Sequence, residues 1–477
     1  MYSWMSFVVL FPCFVRGTTL PPRNPNHKAT DWCFFHPLFQ ASLLDFLHQL
    51  VNNSMICKSI AMGATILILH FAVGSAAEVS VNGLAPGTIT PHCGDPSDCT
   101  AAIQAALNDA SATTILFDNE THPYITQPLF IRRSNVHLVF KSCKVMLLAK
   151  RWCFNATGAS LLSVTYVENI TISGNGAAFR MWKFDYANPK YYAHAEWRMA
   201  LQMDGAKHVL VEDLVVELSG GDGVYVGYEN VDITLHRIHS RLNYRQGISV
   251  IDVDGLVVRD SIFESTDGTA PMAGVDFEPD TPSEQLTNIL FENCIFRNNS
   301  GWQMAFALHA YNASSQPLSI TMKNCTCDGG FNPMNGGVLV AIASQNVSNS
   351  PPGATLSFAN LTVRNNPNIG FFADILPTTT KLSLHGLTVI NNTAAQPAIF
   401  VNTEASPESI HMWDTVIFDT NTTQWGNKTF PSPDPIQVFP SSSWDRIRGN
   451  GVTIYTEHPR RECNWPHGNF SVVCRPV

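Results

Sequence analysis

The chain has 477 residues, 45% hydrophobic and 14% charged, with a formal net charge of −9 and twelve cysteines. That is enough apolar material for a large core. The acidic balance argues against nucleic acid as the main partner, because phosphate binding needs a basic surface.

Residues 1–54 have no clear periodicity. They read as a spurious upstream extension of the reading frame or as a second, poorer export signal. From Met55 the segment "MICKSIAMGATILILHFAVGSAAEVS" carries one early positive charge at Lys58, an apolar run near residues 60–73, and then Gly74, Ser75, Ala76 and Ala77. This three-part pattern predicts a secretory signal peptide over 55–77, with a signal anchor as the alternative; the run is short for a membrane span. Excluding residues 1–77 removes four basic and two acidic residues and takes the formal charge to −11. No later run is long and apolar enough to cross a bilayer.

Twelve N-x-S/T sequons follow residue 77, at Asn119, Asn155, Asn169, Asn298, Asn312, Asn324, Asn346, Asn360, Asn391, Asn421, Asn427 and Asn469. With the export signal they predict an extracellular glycoprotein. Nine cysteines remain after Ala77. Close spacings suggest the pairs Cys93–Cys99, Cys143–Cys153 and Cys463–Cys474.

Residues 78–112 read as an N-terminal cap. In "PSDCTAAIQAALNDASATTILF" the spacing predicts a helix capped by Ser97 or Asp98, with Ala101, Ile103, Ala106 and Leu107 on one side. From 113 to 440 the sequence returns to one theme: "HVLVEDLVV", "VDITLHRIH", "GLVVRDSIF", "NILFENCIF", "SITMKNCTC" and their successors. Each is a short alternating strand, a turn position and a second apolar run. The turn positions align as Asp213, Asp260, Asn293, Asn324, Asn360, Gly386 and Asp414, with Arg237 as an exception. Another strand lies between, as in "GVYVG", "GISVI", "GVDFE" and "MAFALH". No helix-length segments intervene to serve as crossovers, which excludes a parallel α/β sheet. A series of two-residue hairpin turns is missing too, which excludes a sandwich. The pattern predicts an all-β, single-stranded parallel β-helix whose coils bury one continuous core. An amphipathic helix would cap its open first edge, and residues 441–477 would cap the far end.

The run "TAAIQAALNDA" followed by "ILFDNETHPYITQPLFIRRSNVHLVF" resembles the opening of the pectin-lyase-like superfamily, over roughly residues 90–420. The resemblance implies a right-handed parallel β-helix. Its members include pectate lyases, polygalacturonases, alginate lyases and epimerases, and some glycosidases, so fold and chemistry separate here. The polygalacturonase signature is not reproduced: "STDG" occurs at 265–268, but there is no Asp-Asp pair and no Gly-His-Gly, and "RIRGN" at 446–450 is out of context. The epimerase-like Asp-Pro-His-Glu is only echoed by "DFEPD".

Stacking the intermediate strands aligns Val224, Ile248 and Val275 inward and Tyr225, Ser249 and Asp276 outward. Asp222 precedes the first strand, Arg245 and Gln246 precede the second, and Glu278 ends the third. His309 and Trp302 belong to the next coil. These residues form a polar row on the solvent face. Asp276 and Glu278, about 7 Å apart by strand geometry, lie between the separations of retaining and inverting glycosidases and are the expected acid and base. Asp222, Arg245 and His309 complete the expected catalytic group; Tyr225, Gln246, Ser249 and Trp302 are the expected sugar contacts. The row predicts a glycoside hydrolase acting on a polysaccharide, with a lyase or C5-epimerase on the same groove as the alternative. A non-catalytic glycan-binding or matrix protein is the alternative of another class. No metal site or cofactor is expected, apart from calcium under the lyase or epimerase alternative, and the chain is expected to be a monomer. The bland reading of the acids is solvated surface, and of Arg245 a bridge between carboxylates. Cys294 and Cys325 are expected to stack as core residues or cross-link. Asn293, Asn324 and Asn360 are expected to form a corner ladder bonding the turn backbone.

Overall fold

Strands of three to seven residues with alternating apolar positions cannot bury their own apolar faces, so each must pair with the strand one coil on. The computed structural model describes residues 85–330, 336–342, 353–366, 368–375, 380–391, 397–403, 410–419, 436–439, 447–456 and 470–476. All belong to one compact unit, Leu69–Val477. The extension at 1–54, the signal peptide at 55–77 and the partner proposed for Cys474 lie outside the described residues.

The coils from Thr114–Phe117 to Ile436–Phe439 each contribute to three stacks of parallel strands. One stack passes through Lys207–Glu212, Asn230–His236, Val253–Arg259 and Leu286–Glu292. A second passes through Val215–Glu217, His239–Arg241, Ile262–Glu264 and Ile295–Arg297. These two meet at Ile447–Thr456, which pairs with Ile410–Trp413 and with Val416–Asp419. The third stack, of 11 strands, runs from Leu129–Ile131 to Ile436–Phe439. The fold is all-β, a right-handed parallel β-helix. Parallel pairing continues past residue 440, to Phe470–Pro476.

The core is a set of like-on-like ladders. Val224, Ile248 and Val275 are in register and buried. Phe117 stacks on Phe140 at 4.4 Å and Phe277 on Phe306 at 4.7 Å. Cys294 and Cys325 are buried free thiols in adjacent coils, not a cross-link. Cys93–Cys99 is a disulfide. Cys143 is disulfide-bonded, yet Cys153 is free, so the expected pair Cys143–Cys153 does not form.

The helix Thr100–Asn108 buries Ile103, Ala106 and Leu107. Its N-cap is Cys99, one residue beyond the expected position, and Asp98 instead accepts a hydrogen bond from the Thr100 amide at 3.0 Å. Gln104 shields the first edge of the third stack: its Nε2 donates to the Phe130 carbonyl at 2.9 Å and its Oε1 accepts from the Phe130 amide at 3.0 Å. Backbone groups that would template another strand are thereby paired.

The aligned turn positions share one conformation. Asp213, Arg237, Asp260, Asn293, Asn324, Asn360, Gly386 and Asp414 all have φ between 50° and 70°. Arg237 is therefore no exception. This left-handed region favours Asn, Asp and Gly, whose side chains or lack of one relieve the Cβ clash. The asparagines do form a ladder, but their amides bond one another and not the turn backbone. Asn293 Nδ2 donates to Asp260 Oδ1 at 3.0 Å, Asn324 to Asn293 at 3.3 Å, and Asn360 to Asn324 at 3.1 Å.

Outward positions of the second stack alternate in charge over seven coils: Arg180, Glu217, Arg241, Glu264, Arg297, Asp328 and Arg364. Glu264 accepts from His239 at 2.6 Å and from Arg297 at 2.5 Å. Burial would raise its pKa, but these two donors outweigh it and hold the carboxyl down at about 2. Its contribution to stability is therefore present above the ordinary carboxylate range and lost as pH falls through about 2. Glu264→Gln should cost on the order of 2 kcal/mol at pH 7. In thermal melts the gap between variant and wild type should close from about pH 4 down to pH 2, as the wild-type carboxylate also takes up a proton. A gap that is constant with pH would show that the ladder's charge is not what stabilises it.

Candidate functional site

The strands Val224–Val226, Ile248–Val250, Val275–Phe277 and Met304–Ala307 stack in the third sheet. The register puts Tyr225, Ser249 and Asp276 on one outward row, as the alternation predicts. Exposure does not follow. Asp222 is 0% exposed and Asp276 1% exposed, and Ser249 and Gln246 are buried as well. The expectation that the carboxylates face solvent is therefore corrected: they point away from the core but are roofed by other side chains. Arg245 and Glu278 form the outermost layer, with side chains 15% and 21% exposed.

Arg245 organises the cluster. Its Nη1 and Nη2 donate to Glu278 Oε1 and Oε2 at 2.5 and 2.8 Å, a bidentate pair. The same Nη1 lies 3.7 Å from Asp222 Oδ2, and Nε lies 3.6 Å from Glu196 Oε2. Gln246 and Ser249 position the acids. The Gln246 amide donates to Asp222 Oδ1 at 3.0 Å, and its side-chain Nε2 donates to Asp276 Oδ2 at 2.9 Å. Gln246 Oε1 is itself fixed by the Ala273 amide at 3.0 Å. Ser249 Oγ donates to Asp222 Oδ2 at 2.9 Å.

The environment shifts both buried carboxyls in the same direction. Burial pushes Asp222 up to about 7, against the opposing pull of Arg245. Asp276 is raised well above the ordinary range, first by burial and then by the Glu278 charge beside it. Its Oδ1 receives no donor. The neighbouring Glu278 carboxylate can only accept, so the contact is favourable when Asp276 itself carries the proton. Two neighbouring acids with one proton between them, one ionised and one neutral, are a recurring acid–base arrangement.

The remaining expected residues divide. Tyr225 follows the same row, and its hydroxyl meets Tyr228, whose own hydroxyl donates to Asp280 Oδ2 at 3.2 Å. His309 lies in the exposed turn after Met304–Ala307 and makes no hydrogen bond or ion pair to the cluster among the described residues. Trp302 packs on Phe372, ring centroids 6.3 Å apart, and is not among the cluster's hydrogen-bonding groups. Neither residue bonds to the acids: His309 lies in the turn after Ala307, and Trp302, before Met304, is turned to Phe372.

The alternation could not reveal the segment 181–200, which interrupts the repeat. It contains a short helix, Lys183–Tyr186, and brings Glu196 to Arg245. Thr269 Oγ1, in a different coil, donates to Glu196 Oε1 at 2.8 Å and ties the segment across the site. Arg198 anchors it from below, fully buried, donating to the Phe154 and Ala193 carbonyls. Phe184, Tyr191 and Trp197 of this segment are exposed. The density of aromatic residues in "RMWKFDYANPKYYAHAEWRMA" was the available signal.

A family model described as "Right handed beta helix region" matches residues 153–350. With the coordinates, it bears out the resemblance to the pectin-lyase-like superfamily of parallel β-helices at the level of the fold. Among curated proteins, the chain is 27% identical over 159 residues to "Uncharacterized protein YclG" of Bacillus subtilis (strain 168). The match spans 30% of this chain and 27% of that protein's length. Among solved structures, it is similar to the endo-xylogalacturonan hydrolase of Aspergillus tubingensis, at 11% identity and TM-score 0.46, covering 82% of this chain and 99% of that one. It is similar to the A-module of the mannuronan C-5 epimerase AlgE6 of Azotobacter vinelandii, at 15% identity and TM-score 0.41, covering 74% and 95%. It is also similar to PfbA, a surface adhesin of Streptococcus pneumoniae, at 13% identity and TM-score 0.42, covering 67% and 81%. Likeness at these values carries nothing about chemistry, which rests on the cluster itself.

A raised carboxyl pKa means that the folded protein prefers the protonated form. The stabilising contribution is full below the ordinary carboxylate range and is lost as pH rises through the raised value. Asn mimics protonated Asp276, accepting from Gln246 and donating toward Glu278. Asp276→Asn should therefore raise Tm at pH 8, by about 2–4 °C, and the gain should vanish near pH 3. A lower Tm at pH 8 would show that Asp276 is held ionised.

Proposed function

We propose that the outward face around Arg245 is the active site of a secreted, carbohydrate-active enzyme, a glycoside hydrolase cleaving a polysaccharide laid along the coils. The observation that carries this reading is the gathering of Asp222 from one coil and Asp276 and Glu278 from the coil two further on around Arg245 and Gln246 of the coil between, with Asp222 and Asp276 buried and shifted toward the protonated form. Such perturbed carboxyls cluster at catalytic sites.

The geometry refines the roles. Both oxygens of Glu278 are taken by Arg245, so Glu278 is the ionised member that holds the proton on Asp276. Asp276 is the general acid, giving its proton to the glycosidic oxygen. Asp222, oriented by the Ser249 hydroxyl and the Gln246 amide, is the carboxylate that activates water or attacks the anomeric carbon. Ser249 and Gln246 are positioning residues. Substrate meets the two buried acids when the outer Arg245–Glu278 pair swings aside. A metal or cofactor has no part in this proposal.

Asp276→Asn and Asp222→Asn should each lower turnover at least 10²-fold, read as new reducing ends on a panel of soluble polysaccharides. Activity should rise with pH as Asp222 ionises near 7 and fall at higher pH as Asp276 loses its proton, giving a bell-shaped profile. Unchanged turnover in both variants would remove the assignment. New ultraviolet absorbance of an unsaturated uronate, in place of simple reducing ends, would replace hydrolysis with elimination. Glycan binding without turnover in the wild type would favour a binding module.

A further inference from the structure

We infer that this site takes an uncharged glycan and excludes uronates from the sugar positions over Arg245. The inference rests on the active-site reading above and names the substrate class of that same site.

A uronate carboxylate buried against a protein needs a cation or several free donors to replace its water. Arg245 is the cation at the cluster, and carboxylates already surround it. Nη1 and Nη2 are used on Glu278, Nη1 also faces Asp222, and Nε, buried and without a hydrogen bond, lies 3.6 Å from Glu196. The other buried cations nearby are directed at backbone carbonyls. Lys183 Nζ donates to the Asn243 carbonyl at 3.1 Å, and Arg198 donates to Phe154 and Ala193. Along the registered outward row the residues read Ser163, Gln202, Tyr225, Ser249, Asp276 and Ala305, with no Lys or Arg.

Charge accounting gives the same result. With Asp276 protonated, Glu196 and Glu278 still outnumber Arg245, and Asp222 adds a further negative charge as it ionises. Asp280 in the same coil and Asp204 in an earlier one add further carboxylates, bound to Tyr228 and Gln202 respectively. A polyuronate laid here would set like charges against one another at coil spacing. What the face does offer is neutral: Gln202, Tyr225 and Ser249 along the row. An exposed ring stands beside it at Tyr228, and the segment 181–200 carries further exposed rings at Phe184, Tyr191 and Trp197. Flat apolar rings beside polar groups suit the C–H faces and hydroxyls of uncharged sugars. The buried Asp276 Oδ1 receives no donor, and the proton that Asp276 directs toward Glu278 is the one it would pass to a bridging glycosidic oxygen.

The test uses Asp276→Asn as a folded, silenced receptor. Oligosaccharides of neutral polymers (glucan, xylan, mannan, galactan, arabinan) and of uronates (polygalacturonate, alginate) are titrated calorimetrically at two ionic strengths. The expected result is binding of one neutral series, insensitive to salt, with no measurable uronate binding. Adding Glu278→Gln frees the Arg245 fork, so the double variant should gain at least 10-fold in uronate affinity, and that gain should be weakened by salt. Tighter uronate than neutral binding by Asp276→Asn, or no gain in the double variant, overturns the inference. The two readings fail separately. If the wild type turns over a uronate polymer and Asp276→Asn abolishes it, the active site stands and the substrate class falls. If Asp276→Asn keeps full turnover, the active-site reading falls whatever the substrate. Binding of no glycan at all overturns both.

Discussion

In-register parallel pairing between successive coils is the constraint from which the rest of this molecule follows. It fixes a spacing of about 4.8 Å between equivalent residues and so sets each side chain against its counterparts above and below. For apolar side chains this is favourable without further provision, and the interior is accordingly a set of Val, Ile and Phe ladders. For polar and charged side chains the same spacing creates a problem that each outward position must resolve. The second stack resolves it by alternating sign from Arg180 to Arg364. The corner at Asn293, Asn324 and Asn360 resolves it with amides, which donate on one side and accept on the other. Around Arg245 it is resolved only in part, and there burial shifts Asp222 and Asp276 toward the protonated form.

Much of this was legible in the sequence, for a definite reason. Period-two alternation decides inward from outward, and a coil repeat decides which residues share a level. Val224, Ile248 and Val275 could therefore be placed in the core, and Tyr225, Ser249 and Asp276 in one row, before any coordinates. The turn positions were legible because Asn, Asp and Gly are the residues that tolerate positive φ; Arg237 looked foreign only because its conformation is imposed by its neighbours. What alternation cannot report is cover. Outward means away from the core, not into water, and Asp276 is outward yet roofed by Arg245, Glu278 and Gln246. His309 and Trp302 were misplaced because they border turns whose length the repeat does not govern. Cys143 and Cys153 looked paired by spacing, but which thiols meet depends on the coil each joins.

The covering segment 181–200 shows how a loop outside the repeat sets the electrostatics of residues within it. Arg198 and Lys183 are buried without a carboxylate partner and donate to backbone carbonyls, Arg198 through Nε and Nη2 and Lys183 through Nζ. Their role is mechanical: they pin the segment so that Glu196 reaches both Arg245 and Thr269. Pinned this way, the segment excludes water from one flank of the cluster. Desolvation is the largest cause of the upward shifts at Asp222 and Asp276, so the strand register supplies the acids while the segment supplies the environment that changes their protonation.

The molecule also contains its own control for whether such a cluster is merely structural. Glu217 is 2% exposed, as deeply buried as Asp276, and it stands between Arg180 and Arg241 at 2.5 and 2.7 Å, two cations for one acid. That is how this fold stabilises a buried carboxylate when stability is all that is required: each of its oxygens has a guanidinium of its own. At Arg245 the ratio is reversed, with one cation serving Glu278, Asp222 and Glu196 while Asp276 keeps an oxygen without a donor. The scaffold could supply a second arginine at an adjacent coil, as it does along the other face, and here it does not. A carboxyl left short of partners is a cost to folding, and a carboxyl that must give up a proton to a substrate oxygen cannot be fully satisfied beforehand. The contrast between Glu217 and Asp276, two buried acids on one repeating framework, is what supports the proposed catalytic role of Asp276 beyond its burial alone.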